Sequence, residues 1–184
     1  MSPVTPCGSW KSPITAELVV SGAVGFGEVF VTENSIWWSE SRPDEGGRVA
    51  IVRDDKDATP DNINVRTLVH EYGGGAWSVT SDSLIYSNYE DQRLYKLSQD
   101  GQTALLTPEP EISRGLRYAN GVPTPDGDWF ICVQEKHTEA GGEPANNLVA
   151  VSLQGTQQVN QLVLDADFVS NPAISPNGKK FIFI

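Results

Sequence analysis

The sequence contains few of the residues that mark metal-binding, disulfide-rich or redox proteins. Among its 184 residues are only 2 cysteines and 2 histidines. Cys7 and Cys132 are far apart and have neither the close spacing of a zinc motif nor the density of a disulfide-rich domain. Cys132 stands between Ile131 and Val133, and this apolar setting predicts a small buried side chain and not a reactive thiolate.

Long apolar runs and positive charge are also scarce. No run of about 18 apolar residues is present, so we expect no membrane-spanning helix. The first residues, MSPVTP, have neither the basic nor the apolar part of a signal peptide, and a cytoplasmic location is the default expectation. Because 24 acidic residues face 13 basic ones, the net charge of −11 disfavours binding to nucleic-acid phosphates.

Signatures of a self-contained enzyme are missing as well. The sequence has no Gly-x-Ser-x-Gly segment, which carries the nucleophile of α/β-hydrolases, and no phosphate-binding loop. His70 and His137 each lie close to a glutamate, but two histidines without a third ligand make a weak metal site. We therefore predict no catalytic residue, no cofactor and no metal ion for this chain.

The sequence does contain a repeat. Each copy combines a short strand, a tight turn and a second, more apolar strand, and the copies occupy residues 31–38, 79–86, 123–131 and 174–183. Aligned on the turn, they are spaced by 48, 45 and 51 residues. This period, filled with short strands, is typical of β-propeller blades. Because a propeller must close into a ring and the fourth copy is incomplete, we expect the chain to be a piece of a larger protein.

The predicted fold is all-β, a partial β-propeller of about three and a half four-stranded blades with a short N-terminal helical arm. The predicted regions are the arm (1–25), blade 1 (26–75), blade 2 (76–117), blade 3 (118–168) and the incomplete blade 4 (169–184). Ser12 as cap and Pro13 at the first helical position predict where the helix of the arm begins. Residues 64–69 are the predicted fourth strand of blade 1.

The loops of such a disc fall on two faces because neighbouring strands of a blade are antiparallel. One face receives the short turns between first and second strands. The other face, termed the link face here, receives the second-to-third loops and the links between blades. These segments are longer and carry more glycine and charge, so we expect any functional site there.

The most distinctive string on the link face is HEYGGG, residues 70–75, termed the glycine loop here. Its glycines allow backbone to approach a ligand closely, with Glu71 and Tyr72 as polar groups, although glycines often only turn the chain. On the same face, Glu135 and His137 end the second strand of blade 3. A carboxylate there could receive a substrate amino group or orient an arginine, and a solvated strand end is the alternative. These four side chains are the candidate substrate-binding residues.

Several short motifs follow one another along the chain. Single motifs such as SPNG are common to many propellers, but the ordered set is specific. The motifs are residues 5–15 (TPCGSWKSPIT), 40–48 (ESRPDEGGR), 64–67 (NVRT) leading into the glycine loop, 87–95 (SNYEDQRLY), 117–121 (RYANG) and 175–179 (SPNGK). This set resembles the N-terminal part of the β-propeller domain in prolyl oligopeptidase-family serine peptidases. Within that family it is most similar to the dipeptidyl aminopeptidase and acylaminoacyl peptidase branch. The resemblance spans nearly the whole chain.

The resemblance implies a two-domain enzyme. In the family, an α/β-hydrolase domain with a Ser-Asp-His triad follows the propeller, which restricts access to short peptides and helps to position their N-terminal end. None of the triad can be assigned to this chain. The paired glutamates that bind a free amino terminus in some relatives have no clear counterpart, and Glu71 and Glu135 are candidates only by their placement. Specificity for free or acylated N-termini therefore stays open.

The expected function is that of a non-catalytic propeller fragment of a serine peptidase that cleaves short peptides near the N-terminus. Its partners would be the missing C-terminal α/β-hydrolase domain and peptide substrates. One alternative is a propeller scaffold that binds a protein or peptide without any linked hydrolase. Another is a lactonase-type propeller with a central metal, which needs converging carboxylates that the inner strands do not obviously provide. The open blade edge at residues 181–184 predicts self-association.

Overall fold

The computed structural model describes residues 6, 8–9 and 11–184. Cys7 and part of the 5–15 segment therefore lie outside the described residues. In the described part, one short α-helix and a single 3-10 turn accompany fourteen strands. The helix is α1 (Ala16–Val20), and the 3-10 turn (Pro43–Glu45) lies between the second and third strands.

The strands form three four-stranded sheets and one two-stranded sheet, each an antiparallel meander in sequence order. Blade 1 contains β1 (Gly25–Val31), β2 (Ile36–Arg42), β3 (Arg48–Arg53) and β4 (Lys56–Asp57). Blade 2 contains β5 (Trp77–Val79), β6 (Ser83–Ser87), β7 (Leu94–Ser98) and β8 (Thr103–Leu105). Blade 3 contains β9 (Leu116–Pro123), β10 (Trp129–Lys136), β11 (Ala145–Ser152) and β12 (Val159–Ala166), and blade 4 contains β13 (Ala173–Ile174) and β14 (Phe181–Ile182). The predicted all-β partial propeller is confirmed.

The repeated turns share one hydrogen-bonding device. In blade 3, the Thr124 hydroxyl oxygen accepts a hydrogen bond from the Trp129 N–H at 3.0 Å. In blade 4, the Ser175 hydroxyl oxygen accepts one from the Lys180 N–H at 3.0 Å. A hydroxyl that replaces a backbone acceptor in this way stabilises a tight turn. The recurring Ser or Thr in the sequence repeat therefore has a local structural cause.

The core lies between neighbouring blades. Trp37 of blade 1 packs with Trp77 of blade 2 in one buried cluster, and Phe30 meets the Trp77 ring edge-on at 4.7 Å between centroids. A second buried cluster joins blades 2 and 3 and includes Tyr118 and Cys132. Burial raises the pKa of the Cys132 thiol, which agrees with the buried, unreactive side chain that the sequence predicts.

The helix of the arm begins later than predicted. Its N-cap is Thr15, whose hydroxyl accepts a hydrogen bond from the Leu18 N–H at 3.1 Å, so Ser12 and Pro13 precede the helix. The prediction was wrong because two hydroxyl residues could serve as cap, and Thr15 leaves the better helix formers of AELVV inside the helix. No helix of the described part is long and apolar enough to cross a membrane.

The predicted fourth strand of blade 1, residues 64–69, is also wrong. That position in the sheet belongs to β4, which pairs with β3 directly after a two-residue turn. Asp54 and Asp55 form this turn with φ of 48° and 62°, a conformation that aspartate tolerates better than most residues. Of residues 64–69, Val65 makes an isolated bridge to Asn88 after β6, and its N–H donates to the Val49 carbonyl oxygen of β3 at 2.9 Å, so the segment runs between the two blades without forming a strand.

The two ends of the row of blades carry exposed apolar side chains. Phe26 and Val31 lie on blade 1, and Ile182 and Ile184 lie on or directly after the last strand. All four are largely exposed. Blades 2 and 3 bury the corresponding surfaces between them, whereas no further sheet of the described residues covers these end faces.

Candidate functional site

The glycine loop connects blade 1 to blade 2, and part of its backbone is in a conformation that residues with a side chain disfavour. His70 and Glu71 have φ of 56° and 63°, a left-handed region that non-glycine residues seldom occupy. Such backbone persists only where surrounding interactions hold it. Gly75 is required at the end of the loop, because a Cβ there would clash with the side chain and backbone of Asn120.

Glu135 supplies one of the interactions that hold the loop. Its carboxylate is 2% exposed and accepts a hydrogen bond from the His70 backbone N–H, with 2.6 Å between N and Oε1. His70 Nδ1 lies 3.2 Å from Oε1, and His137 Nε2 lies 3.2 Å from Oε2. Arg117 Nη1 lies 3.7 Å from Oε2. Both carboxylate oxygens are thus occupied by groups of the protein itself, as a buried charge requires.

Arg117 joins this buried carboxylate to an exposed one. Its Nη1 donates to Glu71 Oε1 at 2.7 Å and to the Leu68 carbonyl oxygen at 2.9 Å. The hydrogen bond from Arg117 holds the pKa of Glu71 below its ordinary value. Because the Glu71 side chain is 76% exposed, the loop presents a fixed, ionised carboxylate to solvent.

Glu28 of β1 holds the other end of the loop. Its Oε1 accepts a hydrogen bond from the Gly75 N–H at 2.9 Å, and its Oε2 accepts one from the Trp77 indole N–H at 3.0 Å. The Ser39 hydroxyl also donates to Oε2, at 3.4 Å. Carboxylates from blade 1 and blade 3 therefore fix both ends of one segment.

Aromatic rings cover the His70 side chain. The Phe168 ring stacks on the imidazole with 4.0 Å between centroids, and the Tyr72 ring lies 5.7 Å away. A small cavity of about 260 Å³ is lined by these three residues together with glycines of the loop, Ala119, Asn120 and Asn171. Tyr72 and Phe168 are largely exposed, so this cavity presents ring surface to solvent.

The structure brings the four candidate residues into one neighbourhood but gives them different surroundings. Glu71 and Tyr72 are exposed at the tip of the loop. Glu135 is buried, and His137 is partly buried against it. Glu135 is not a solvated charge at the end of a strand. Its carboxylate is buried and contacts Arg117 and both histidines.

Sequence reasoning missed three residues of this site. Arg117 stood in the RYANG motif, but nothing in the sequence showed which carboxylate it would contact. Phe168 lies after β12 without any local pattern that marks it. In the sequence, Glu28 is an ordinary polar residue of a strand. Only the folded chain brings Gly75 next to Glu28.

The arrangement can hold a ligand by charge, hydrogen bonds and ring contact. The exposed Glu71 carboxylate suits a group with N–H donors or positive charge, and the exposed rings of Tyr72 and Phe168 suit ring or cation contacts. Among the described residues, no group of three or more His, Cys, Asp or Glu side chains could hold a metal ion.

Comparison with known proteins gives matches among solved structures. No protein-family model matches the chain, and no curated protein does. A puromycin-hydrolysing peptidase of Mycobacterium tuberculosis matches with a TM-score of 0.84 and 34% identity over 97% of this chain. A puromycin hydrolase matches with a TM-score of 0.84, and a mutant puromycin hydrolase complexed with PGG with 0.83, both at 32% identity and over 97% of this chain. This chain covers 30% of the length of each of these proteins.

We expect the Glu135→Gln variant to be less stable by about 3 kcal/mol, the usual scale for breaking a buried charge cluster. An amide can accept at one oxygen only, and its NH₂ group would face the donors of His70 or His137. Urea unfolding followed by tryptophan fluorescence measures this loss. Glu139→Gln is the matched control: it alters an exposed glutamate of the following loop, and we expect a change within about 0.5 kcal/mol. Equal losses in both variants would contradict the role given to Glu135.

The Glu71–Arg117 contact predicts a pH dependence. Because the pKa of Glu71 is lowered in the folded state, the contact contributes fully above the ordinary pKa of glutamate and is lost as pH falls through the folded value. In Arg117→Gln, we expect the pKa of Glu71 to rise, which a ¹³C NMR titration of its carboxyl carbon measures. Arg114→Gln is the control, since Arg114 contacts Glu90 and Tyr89 and not Glu71. An unchanged titration in Arg117→Gln would refute the assigned cause.

Proposed function

Because the chain belongs to the prolyl oligopeptidase family, as part of its N-terminal propeller, we propose that it restricts access to a hydrolase domain of a larger peptidase and contacts the substrate there. The observation that carries the proposal is the match itself, which covers 97% of this chain but 30% of the peptidase. Such a match is expected if an α/β-hydrolase domain follows the propeller in the complete protein. The chain alone would then have no peptidase activity.

The substrate class that this proposal favours is a short peptide or aminoacyl amide. The similar proteins are described as hydrolysing puromycin, and one was solved with PGG. We assign the direct contacts to Glu71 and Tyr72, because these side chains are exposed at the tip of the loop. Glu135 and His137 would act behind them, holding the loop in place.

The negative charge of Glu71 at the tip of the glycine loop bears on whether the substrate has a free or an acylated N-terminus. Glu71 is ionised and held by a single arginine, so its outer oxygen can accept a hydrogen bond from a substrate. A free amino group would form a charge-assisted hydrogen bond with it, and an acylated N-terminus would not. We therefore favour aminopeptidase-type over acylaminoacyl-type specificity.

A chimaera tests this function. In the M. tuberculosis peptidase, the matched 30% would be replaced by this chain, and hydrolysis of puromycin would be measured. We expect the chimaera to be active and Glu71→Gln to raise KM about tenfold with a smaller change in kcat, the scale of one charge-assisted hydrogen bond.

Two controls make the result interpretable. Glu90→Gln changes an exposed glutamate in another loop and is expected to leave KM unchanged. The isolated 184-residue chain is expected to show no turnover. A folded chimaera without activity would favour the scaffold alternative, and turnover by the isolated chain would overturn the proposal outright.

We also propose that the isolated chain self-associates through its end faces, where Phe26, Val31, Ile182 and Ile184 are exposed. Sedimentation equilibrium should show association that strengthens with concentration. Ile182→Lys is expected to shift the population toward monomer, because a charge disfavours burial of the β14 edge. Thr156→Lys, at an exposed loop of blade 3, is the control and should change nothing. A monomer at all concentrations would refute this proposal.

A further inference from the structure

Two arginines on the link face lie against one tyrosine ring. Tyr89 belongs to the loop between β6 and β7, Arg66 to the link before blade 2, and Arg114 to the link after it. The guanidinium carbon of Arg66 lies 5.2 Å from the centre of the Tyr89 ring, and that of Arg114 lies 5.1 Å from it. Contact with the ring restricts both long side chains, so their positive groups are held in place before any ligand binds. Arg66 and Arg114 are termed the arginine pair here.

The arginine pair has no carboxylate partner within the described part of the chain. Although the sequence has 24 acidic residues against 13 basic ones, neither Arg66 nor Arg114 forms an ion pair with a described residue. Arg66 is exposed, and its guanidinium makes no hydrogen bond with the described residues. Arg114 donates from Nε to the Glu90 carbonyl oxygen at 2.8 Å, which leaves its two Nη groups without a partner among them. By contrast, four of the other arginines each pair with a carboxylate, namely Arg42, Arg48, Arg53 and Arg117.

The acidic residues that follow the tyrosine in sequence do not neutralise the arginine pair. Asp91 accepts hydrogen bonds from the Arg93 backbone N–H, at 3.2 Å, and from the Tyr95 hydroxyl. Glu90 is exposed, and its side chain forms no ion pair with a described residue. Two like charges on one ring repel each other when no counter-ion is present, so binding of an anion beside them is favourable.

Arg117 connects the arginine pair to the glycine loop. Its Nη1 donates to Glu71 Oε1, and its Nε donates to the Arg114 carbonyl oxygen at 3.4 Å. Arg114 has a left-handed backbone with φ of 57°, and the contacts of its Nε and carbonyl oxygen hold it there. The exposed carboxylate of Glu71 and two unpaired guanidiniums thus belong to one continuous chain of contacts on the link face.

We propose that the arginine pair binds the C-terminal carboxylate of a short peptide whose amino group meets Glu71. This inference rests on the proposed function, which assigns the amino group to Glu71. Guanidinium groups form strong, charge-assisted hydrogen bonds with carboxylates. Because an extended tripeptide spans about 10 Å, its two charged ends suit an acidic and a basic site that lie close together. The link face would then select short peptides with a free C-terminus over their amides.

Binding of tripeptides to the 184-residue chain tests the assignment without any hydrolase domain. Trialanine would be titrated to about 20 mM, above the millimolar dissociation constants of weak ligands. The Nε–H resonances of Arg66 and Arg114 in ¹H–¹⁵N spectra report the binding, and we expect saturable shifts of both. Trialanine amide, which lacks the terminal carboxylate, should bind about tenfold more weakly. Equal affinity for trialanine and its amide, or no shift with either peptide, would overturn the proposal.

Variants locate the binding site. Arg66→Gln removes one unpaired charge from an exposed side chain, and it also identifies the Arg66 resonance. We expect it to weaken trialanine binding about tenfold without changing the affinity for the amide. Lys179→Gln is the matched control, because it removes one positive charge from the exposed turn of blade 4, on the other face. This control should leave binding unchanged, and equal losses in the two variants would contradict the assignment.

N-acetyl-trialanine separates this inference from the proposed function. If N-acetylation weakens binding while amidation has no effect, Glu71 keeps its role and the inference about the arginine pair is wrong. If amidation weakens binding while N-acetylation has no effect, the arginine pair binds the carboxylate and the assignment of Glu71 is wrong. We expect both changes to weaken binding, because each removes one of the two charged ends.

Discussion

The buried carboxylate of Glu135 is the interaction on which the candidate site depends. Removed from water, it must be surrounded by donors, and these come from parts of the chain far apart in sequence: the His70 backbone and imidazole, Arg117 and His137. One of these contacts, the hydrogen bond from the His70 N–H, holds the loop where its backbone is left-handed. The cluster also leaves Arg117 placed to hold Glu71 at the surface. The exposed carboxylate of Glu71 is therefore positioned, through Arg117, by the buried carboxylate of Glu135.

The fold could be predicted well because its causes are local and repeated. A hydroxyl residue at each turn, followed by an apolar strand, gives the same hairpin wherever it occurs, as at Thr124 and Ser175. The period of the repeat then indicates blades. The start of the helix was predicted wrongly because both Ser12 and Thr15 can act as N-cap. The fourth strand of blade 1 was predicted wrongly because a two-residue turn at Asp54 and Asp55 places it directly after β3, before the apolar residues 64–69.

The site could be predicted only in part, for a physical reason. Residue type and loop placement gave Glu71, Tyr72, Glu135 and His137 as candidates. They could not show that Glu135 is buried and Glu71 exposed, because that difference depends on which donors the folded chain brings to each carboxylate. Arg117 and Glu28 act across 46 and 47 residues of sequence, and no local pattern encodes such contacts.

The attachment of the glycine loop at both ends limits how this protein can change over evolution. Links between sheets usually tolerate insertions and deletions, because their length is not tied to anything else. Here the His70 N–H is bound by a carboxylate of the third blade and the Gly75 N–H by one of the first. Adding or removing one residue between them would break one of these bonds or shift the blades. The number of residues in the loop is therefore fixed by its two end contacts. Substitutions at its tip are easier to accommodate than insertions or deletions.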